Sequence, residues 1–237
     1  MKGSKCAMVK LVESSNFLEV INKLLKESNA EINNYDNWIP KSIKYDKEAE
    51  LNDFLHYNFD HQLPKDITNW WLYKDATTPN WDLISTCTIN GKRGILLVEG
   101  KAHYAELEQE SKGKTLKLDA SDNSKKNHEQ IALAITEANT NIKNEIEDIT
   151  LSRDACYQFS NRVAHAWWLS NQGIPVVLMY LGFLNVEDMS DNYKIFKTDK
   201  DWKDCFTEHT KIVGSDALVN KTIECGKSTF TMICKSV

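Results

Sequence analysis

The dipeptide Asn90-Gly91, set between the β-prone runs 80–89 and 92–101, limits what this chain can fold into more than any other short segment. Both central positions of the favoured two-residue hairpin turn need φ > 0, which Asn and Gly tolerate, so the two runs are expected to pair antiparallel. Ile95-Leu96-Leu97-Val98 is apolar at successive positions and therefore on both faces, so the ribbon is expected inside the protein.

Ionisable groups sit at the open end of this buried hairpin: Asp82 at the start of the first strand, Glu99 and Lys101 at the end of the second. A two-residue turn brings Asp82 opposite Glu99. A four-residue loop, Asn90 to Arg93, brings Asp82 opposite Lys101 and Glu99 opposite Ile84. Both registers put Asp82, Glu99 and Lys101 on one face, with cross-strand neighbours about 5 Å apart. Two carboxylates that close repel and persist as anions mainly when a cation lies between them. A divalent metal suits the position, and hard oxygen donors favour Mg²⁺ or Mn²⁺ over zinc. The plainer alternative is a solvated strand end, with Asp82 a turn residue after Thr77-Thr78-Pro79-Asn80.

An Asp at the start of one strand and Glu99-Gly100-Lys101 at the end of the next resembles the PD-(D/E)XK nuclease superfamily, with sixteen residues between Asp82 and Glu99. Pro79 stands three positions before the aspartate, whereas the namesake motif has proline immediately before it. The resemblance implies a restriction-endonuclease-like α/β fold with an αβββαβ core, over residues 46–184, in a single domain spanning 1–237. An amino-terminal helix and loop (1–45) and a carboxy-terminal extension (185–237) would flank that core. It implies metal-dependent hydrolysis of phosphodiester bonds in DNA or RNA, with Asp82, Glu99 and Lys101 catalytic and Asp82 and Glu99 holding Mg²⁺ or Mn²⁺. Members of the superfamily often take a further acid from an amino-terminal helix, and Glu50 is the candidate here. The competing reading keeps the scaffold without the chemistry, as a nucleic-acid-binding or protein-interaction module. An α/β hydrolase is disfavoured, because the chain has no Gly-x-Ser-x-Gly elbow.

The net charge of −5 supplies no bulk positive field, so contact with nucleic acid must be local. Six cysteines without Cys-x-x-Cys spacing read as reduced and mostly buried. Lys2, Lys5 and Lys10 interrupt the amino-terminal apolar stretch, which does not read as a secretory signal. The longest apolar run, 174–184, is about half of the roughly 20 residues a membrane span needs, so a cytoplasmic protein with no membrane contact is expected, and a homodimer is left open.

Along the chain, Asn16 and Glu19 read as an N-cap pair opening a short helix, and 29–45 as a wrapping loop. A helix is expected over 46–58, with Leu51, Phe54 and Leu55 inward and Glu48, Glu50 and Asp53 outward. The β-prone Thr68–Tyr73 reads as the first core strand, with Trp70, Trp71 and Trp81 filling the interior. His103 would share a side with Glu99 and Lys101 and either touch substrate or a metal-bound water or serve only as a polar partner, and the lysine-rich stretch 111–126 reads as a mobile basic loop near the site, either meeting phosphate or simply solvated. Isoleucines and an alanine from Ile131 to Ile149 at spacings of three and four predict a helix over 127–149.

A second helix is expected over 152–172, closed by Gly173 and Pro175, with Phe159, Val163 and Trp167 inward. Its other stripe, Gln158, Asn161, Arg162 and His165, holds hydrogen-bonding groups where a solvated face usually carries Lys and Glu. That stripe reads either as a phosphate or sugar contact or as a polar face buried under the carboxy-terminal segment. In the first case Arg162 would grip a phosphate oxygen and Gln158 would orient a metal ligand or water. Residues 174–184 read as a central strand, 201–209 as a helix and 229–234 as the last strand.

Overall fold

A computed structural model describes residues 2–74 and 76–237. The chain opens with helices α1 (Gly3–Glu13) and α2 (Phe17–Leu25), then the short strands β1 (Ala30–Glu31), β2 (Trp38–Ile39) and β3 (Ala49–Glu50). Helices α3 (Leu51–Asn58) and α4 (Leu63–Trp71) follow, then β4 (Asn80–Trp81) and the hairpin β5 (Leu83–Ile89) and β6 (Lys92–Lys101). Helices α5 (Tyr104–Glu110), α6 (Asp122–Ile142) and α7 (Tyr157–Asn171) lead to β7 (Val176–Gly182), and α8 (Asp199–Lys211), β8 (Thr222–Cys225) and β9 (Ser228–Ser236) close the fold.

The main sheet runs β1-β5-β6-β7-β9-β8, with β2 also paired to β5, while β3 and β4 form a separate two-stranded pair. It is mixed: β5 and β6 are antiparallel, whereas β7 lies parallel to both β6 and β9. Ile89 pairs with Lys92 and Leu83 with Val98, which selects the two-residue turn and carries Asp82, one residue outside the ladder, to the Glu99 end of the hairpin. Asn90 and Gly91 take φ of 48° and 76°, as that turn requires.

Both faces of the sheet are covered, so its strands are apolar at odd and even positions alike. Leu83, Leu96, Val98, Val177 and Met179 pack with α1 and α2, while Ile84, Ile95, Leu97, Leu178 and Phe230 pack with helices of the opposite layer, α7 among them. Glu99 and Lys101 continue the alternation of Ile95 and Leu97, which points them toward α7. Gly182 at the end of β7 lets Trp202 lie against the strand, since a Cβ there would come within 2.5 Å of the indole.

Several elements depart from the expected pattern. Thr68–Tyr73 is not a strand: it lies largely in α4, which buries Pro64, Ile67 and Trp71 at helical spacing, with proline in its first turn. Burial at that spacing overrides the β-propensity of Trp-Trp-Leu-Tyr, so the first strand expected of the core is absent at that place. Trp71 and Trp81 are nevertheless core residues. Asn16 makes no side-chain cap, and α1 before it was not anticipated. Helix α3 begins only at Leu51, with the expected Leu51, Phe54 and Leu55 inward. Helix α6 stops at Ile142, and Ile146 and Ile149 reach the core from turns instead. Helix α7 starts at Tyr157, because Cys156 adopts a left-handed conformation and the amides of Cys156 and Tyr157 donate to the carbonyls of Ser111 and Lys112. The same stitching anchors the start of the lysine-rich stretch, whose Lys125 and Lys126 belong to α6. No helix among the described residues is long and apolar enough to cross a membrane.

Candidate functional site

At the carboxyl end of β6 the alternation of the strand delivers Glu99 and Lys101 to one place, 3 % and 4 % exposed. The Lys101 ammonium lies 2.7 Å from Glu99 Oε1 and 2.9 Å from Glu110 Oε2, the latter on α5. Helix α7 crosses above, and its residues four apart, Gln158 and Arg162, both reach Glu99. Gln158 Nε2 donates to Oε1 at 2.6 Å and Arg162 Nε to Oε2 at 2.7 Å. The Arg162 guanidinium also sits 4.4 Å from the ring centre of Trp81, an aromatic face that helps stabilise a cation out of water. Tyr180, paired with Glu99 in the β6–β7 register, donates its hydroxyl to Glu110 Oε1 at 2.6 Å.

Asp82 closes the cluster from the start of the hairpin, where its Oδ2 accepts from the Gly100 amide at 2.8 Å. Among these carboxylates it alone is only partly buried. Three carboxyl groups, Asp82, Glu99 and Glu110, thus face two cationic groups, Lys101 and Arg162. Burial would raise the Glu99 carboxyl, but the charges and hydrogen bonds of Arg162 and Lys101 outweigh it and hold Glu99 below the usual carboxylate range. Burial likewise opposes the charge on Lys101, but Glu110, Glu99 and Asp82 together raise it. Asp82 carries what is left over: burial first, then the negative charge of Glu99, push its carboxyl from 3.8 to about 7, only partly offset by Lys101, the Gly100 amide and Arg162.

Five of the nine residues singled out from sequence therefore converge: Asp82, Glu99, Lys101, Gln158 and Arg162. Glu50 does not join them, because the β3–β4 pairing aims its carboxylate at Thr78, which donates through its amide at 3.1 Å and its hydroxyl at 3.2 Å. His103 turns away at the start of α5 and stacks on Tyr193 with ring centres 4.1 Å apart, so it does not extend the row of Glu99 and Lys101. His165 is buried against Trp71 at 4.3 Å, donates from Nδ1 to the Asn161 carbonyl, and burial pushes its pKa down to about 3. Asn161 lies beside the cluster, on the wall of a neighbouring cavity. The polar stripe of α7 thus faces β6 and α4 instead of an open surface.

Glu110 and Tyr180 were not anticipated. Tyr180 carried a signal, since a hydroxyl within the apolar run 174–184 needs a buried partner. Glu110 carried none, as its role depends on how α5 lands against β6.

The donor set bears directly on a divalent metal. Among the described residues no group of three or more His, Cys, Asp or Glu side chains is arranged to hold a metal ion. Both Glu99 oxygens are already engaged. In favour stand one carboxylate in excess of the cations, hard oxygen chemistry, and an Asp82 accessible from one side; Mg²⁺ is commonly held by only one or two carboxylates and keeps several waters. An ion held by Asp82 and Glu99 would have to displace at least one of the donors on Glu99. Comparison of the chain with protein-family models, with curated proteins and with solved structures gives no match.

Proposed function

We propose that the chain is a metal-dependent nuclease of the PD-(D/E)XK type, hydrolysing phosphodiester bonds in DNA or RNA. The observation that carries this reading is the uncompensated carboxylate: Asp82 sits at the Glu99 end of the hairpin, lacks a cation of its own, and is driven toward neutrality at about 7. A divalent cation held by Asp82 and Glu99 would neutralise charge on the scissile phosphate and acidify a nearby water. Arg162 and Gln158 hold the Glu99 carboxylate in place. Lys101, held between Glu99 and Glu110, brings a fixed positive charge to where negative charge develops on the phosphate. The mixed sheet between helices, with an antiparallel pair followed by a parallel strand, supports the αβββαβ reading, although the first strand expected of it is helical here.

A second reading has its own support. Glu99 accepts from three side chains, which is the complement expected of a buried charge cluster that only holds the fold together. A module that binds without cutting would keep this arrangement. Incubating single- and double-stranded DNA and RNA with the chain in Mg²⁺ or Mn²⁺ separates the two. The nuclease reading expects cleavage of at least one polymer, abolished by EDTA and by Asp82→Asn or Lys101→Met; cleavage unchanged in both variants, or none of any polymer, refutes it.

A further inference from the structure

Beside the charge cluster lies a cavity of about 520 Å³ that the nuclease reading leaves unused. It is walled by α4, the loop entering α6, the first turns of α6 and the start of α7, and its size falls in the ~300–1,000 Å³ range of small-molecule sites. Its chemistry is unusual for a chain of net charge −5: among the described residues lining it none is acidic, and Lys114 and Lys117 both face it. Neither lysine pairs with a carboxylate among the described residues; the Lys114 ammonium instead rests 4.7 Å from the ring centre of Tyr157. The amino-terminal turn of α6, a helix of 21 residues capped by Ser121, reaches the same wall through Ser124, and Asp122 in that turn offsets part of the positive end of its dipole. Leu116 and Tyr157, with the buried Trp71, supply an apolar and aromatic lining. Asn161, 6 % exposed, completes it; its side chain hydrogen-bonds Tyr157, and its carbonyl oxygen has no hydrogen-bond partner.

A buried acceptor without a donor is costly unless a ligand supplies one. Two lysines without a carboxylate partner among the described residues ask for an anion, while an aromatic wall with one free acceptor asks for a planar group bearing an N–H edge. Phosphate joined to a heterocyclic base meets all of these demands at once. The larger cavity of about 630 Å³ beside residues 37–58 mixes Lys41, Lys44 and Lys47 with Asp46, Glu48, Glu50 and Asp53 and so is less suited to an anion.

We infer that the cavity between α4, α6 and α7 binds one nucleotide, its phosphate at Lys114 and Lys117 and its base against Leu116 and Tyr157 with an N–H group on Asn161. Because Asn161 directly precedes Arg162, this nucleotide lies next to the cluster that holds Glu99. That the occupant is a residue of DNA or RNA rests on the nuclease reading above; occupation of the cavity itself does not need cleavage.

Titration of the full chain with nucleoside 5′-monophosphates in EDTA, followed by tryptophan fluorescence and calorimetry, tests it, with inorganic phosphate and the free nucleosides as comparisons. The expected result is saturable binding of at least one monophosphate, at least tenfold tighter than phosphate or its nucleoside, weakened tenfold or more by Lys117→Glu at an exposed position and by Lys114→Gln. Lack of binding up to millimolar concentration overturns the inference, as does phosphate binding as tightly as the nucleotide, or binding indifferent to both lysine variants. Monophosphate binding without cleavage of any polymer would uphold the cavity and sink the nuclease reading. Metal-dependent cleavage without monophosphate binding would do the reverse.

Discussion

Arg162 places its Nε 2.7 Å from Glu99 Oε2 across 63 positions of sequence, and this one contact joins the helix α7 to the strand β6 at the heart of the candidate site. Removing one partner leaves the other charged and buried. Arg162→Ala leaves Glu99 with Lys101 as its remaining cation but one oxygen without its donor and is expected to cost about 1–3 kcal/mol, while a double replacement of Arg162 and Glu99 by Met costs less than the sum of the two single changes, because no unpaired acceptor or donor remains. Urea denaturation of the two single variants and the double variant measures the difference; a double loss equal to the sum of the single losses would show that the pair is not energetically coupled.

Asp82 predicts a pH dependence of stability. Its folded carboxyl titrates near 7 against 3.8 when free, so between those values the folded chain holds a proton that the unfolded chain has released. Stability from this group is therefore complete below about pH 4, falls as pH rises toward 7 and levels off above it. Asp82→Asn removes that slope. The wild-type-minus-variant difference in urea midpoint from pH 4.5 to 8 reports it, and a flat difference would mean that Asp82 ionises normally.

The same proton competes with a metal. Calorimetric titration with Mn²⁺ is expected to show affinity rising about tenfold per pH unit up to 7 and then levelling, since one proton must leave for the ion to bind. In Asp82→Asn the signal disappears. Affinity that is independent of pH, or intact in the variant, would place the ion elsewhere.

Tyr180 donates a buried hydrogen bond to Glu110, the second carboxylate on Lys101. Tyr180→Phe removes a donor to a carboxylate and is expected to destabilise by about 1.5–3 kcal/mol, read from the shift in thermal midpoint.

Glu50→Gln serves as a contrast. The Glu50 side chain accepts from Thr78 at the start of α3, away from Asp82 and Glu99. The variant is expected to change stability by no more than about 1 kcal/mol and to bind Mn²⁺ as the wild type does. Loss of the metal signal would restore Glu50 to the site.

Much of the site was legible in the primary structure for a local reason. Asn90-Gly91 imposes its turn, the turn sets the register, and a period of two does the rest for Asp82, Glu99 and Lys101. Gln158 and Arg162 were legible as a polar stripe, yet their target was not, because nothing in a helical repeat says which strand it will cross. Glu110 was invisible for the same reason. The misread segment 68–73 shows the opposite failure: local β-propensity pointed one way, and burial of Ile67 and Trp71 along one side of α4 decided the other.

The most direct test of the account is anomalous diffraction from crystals of the full chain equilibrated with Mn²⁺ at pH 8. The account predicts an ion bonded to the Asp82 and Glu99 carboxylates, with at least one of the donors on Glu99 displaced. Crystals saturated with Mn²⁺ in which Lys101, Gln158 and Arg162 still occupy Glu99 and no ion lies at Asp82 would contradict it.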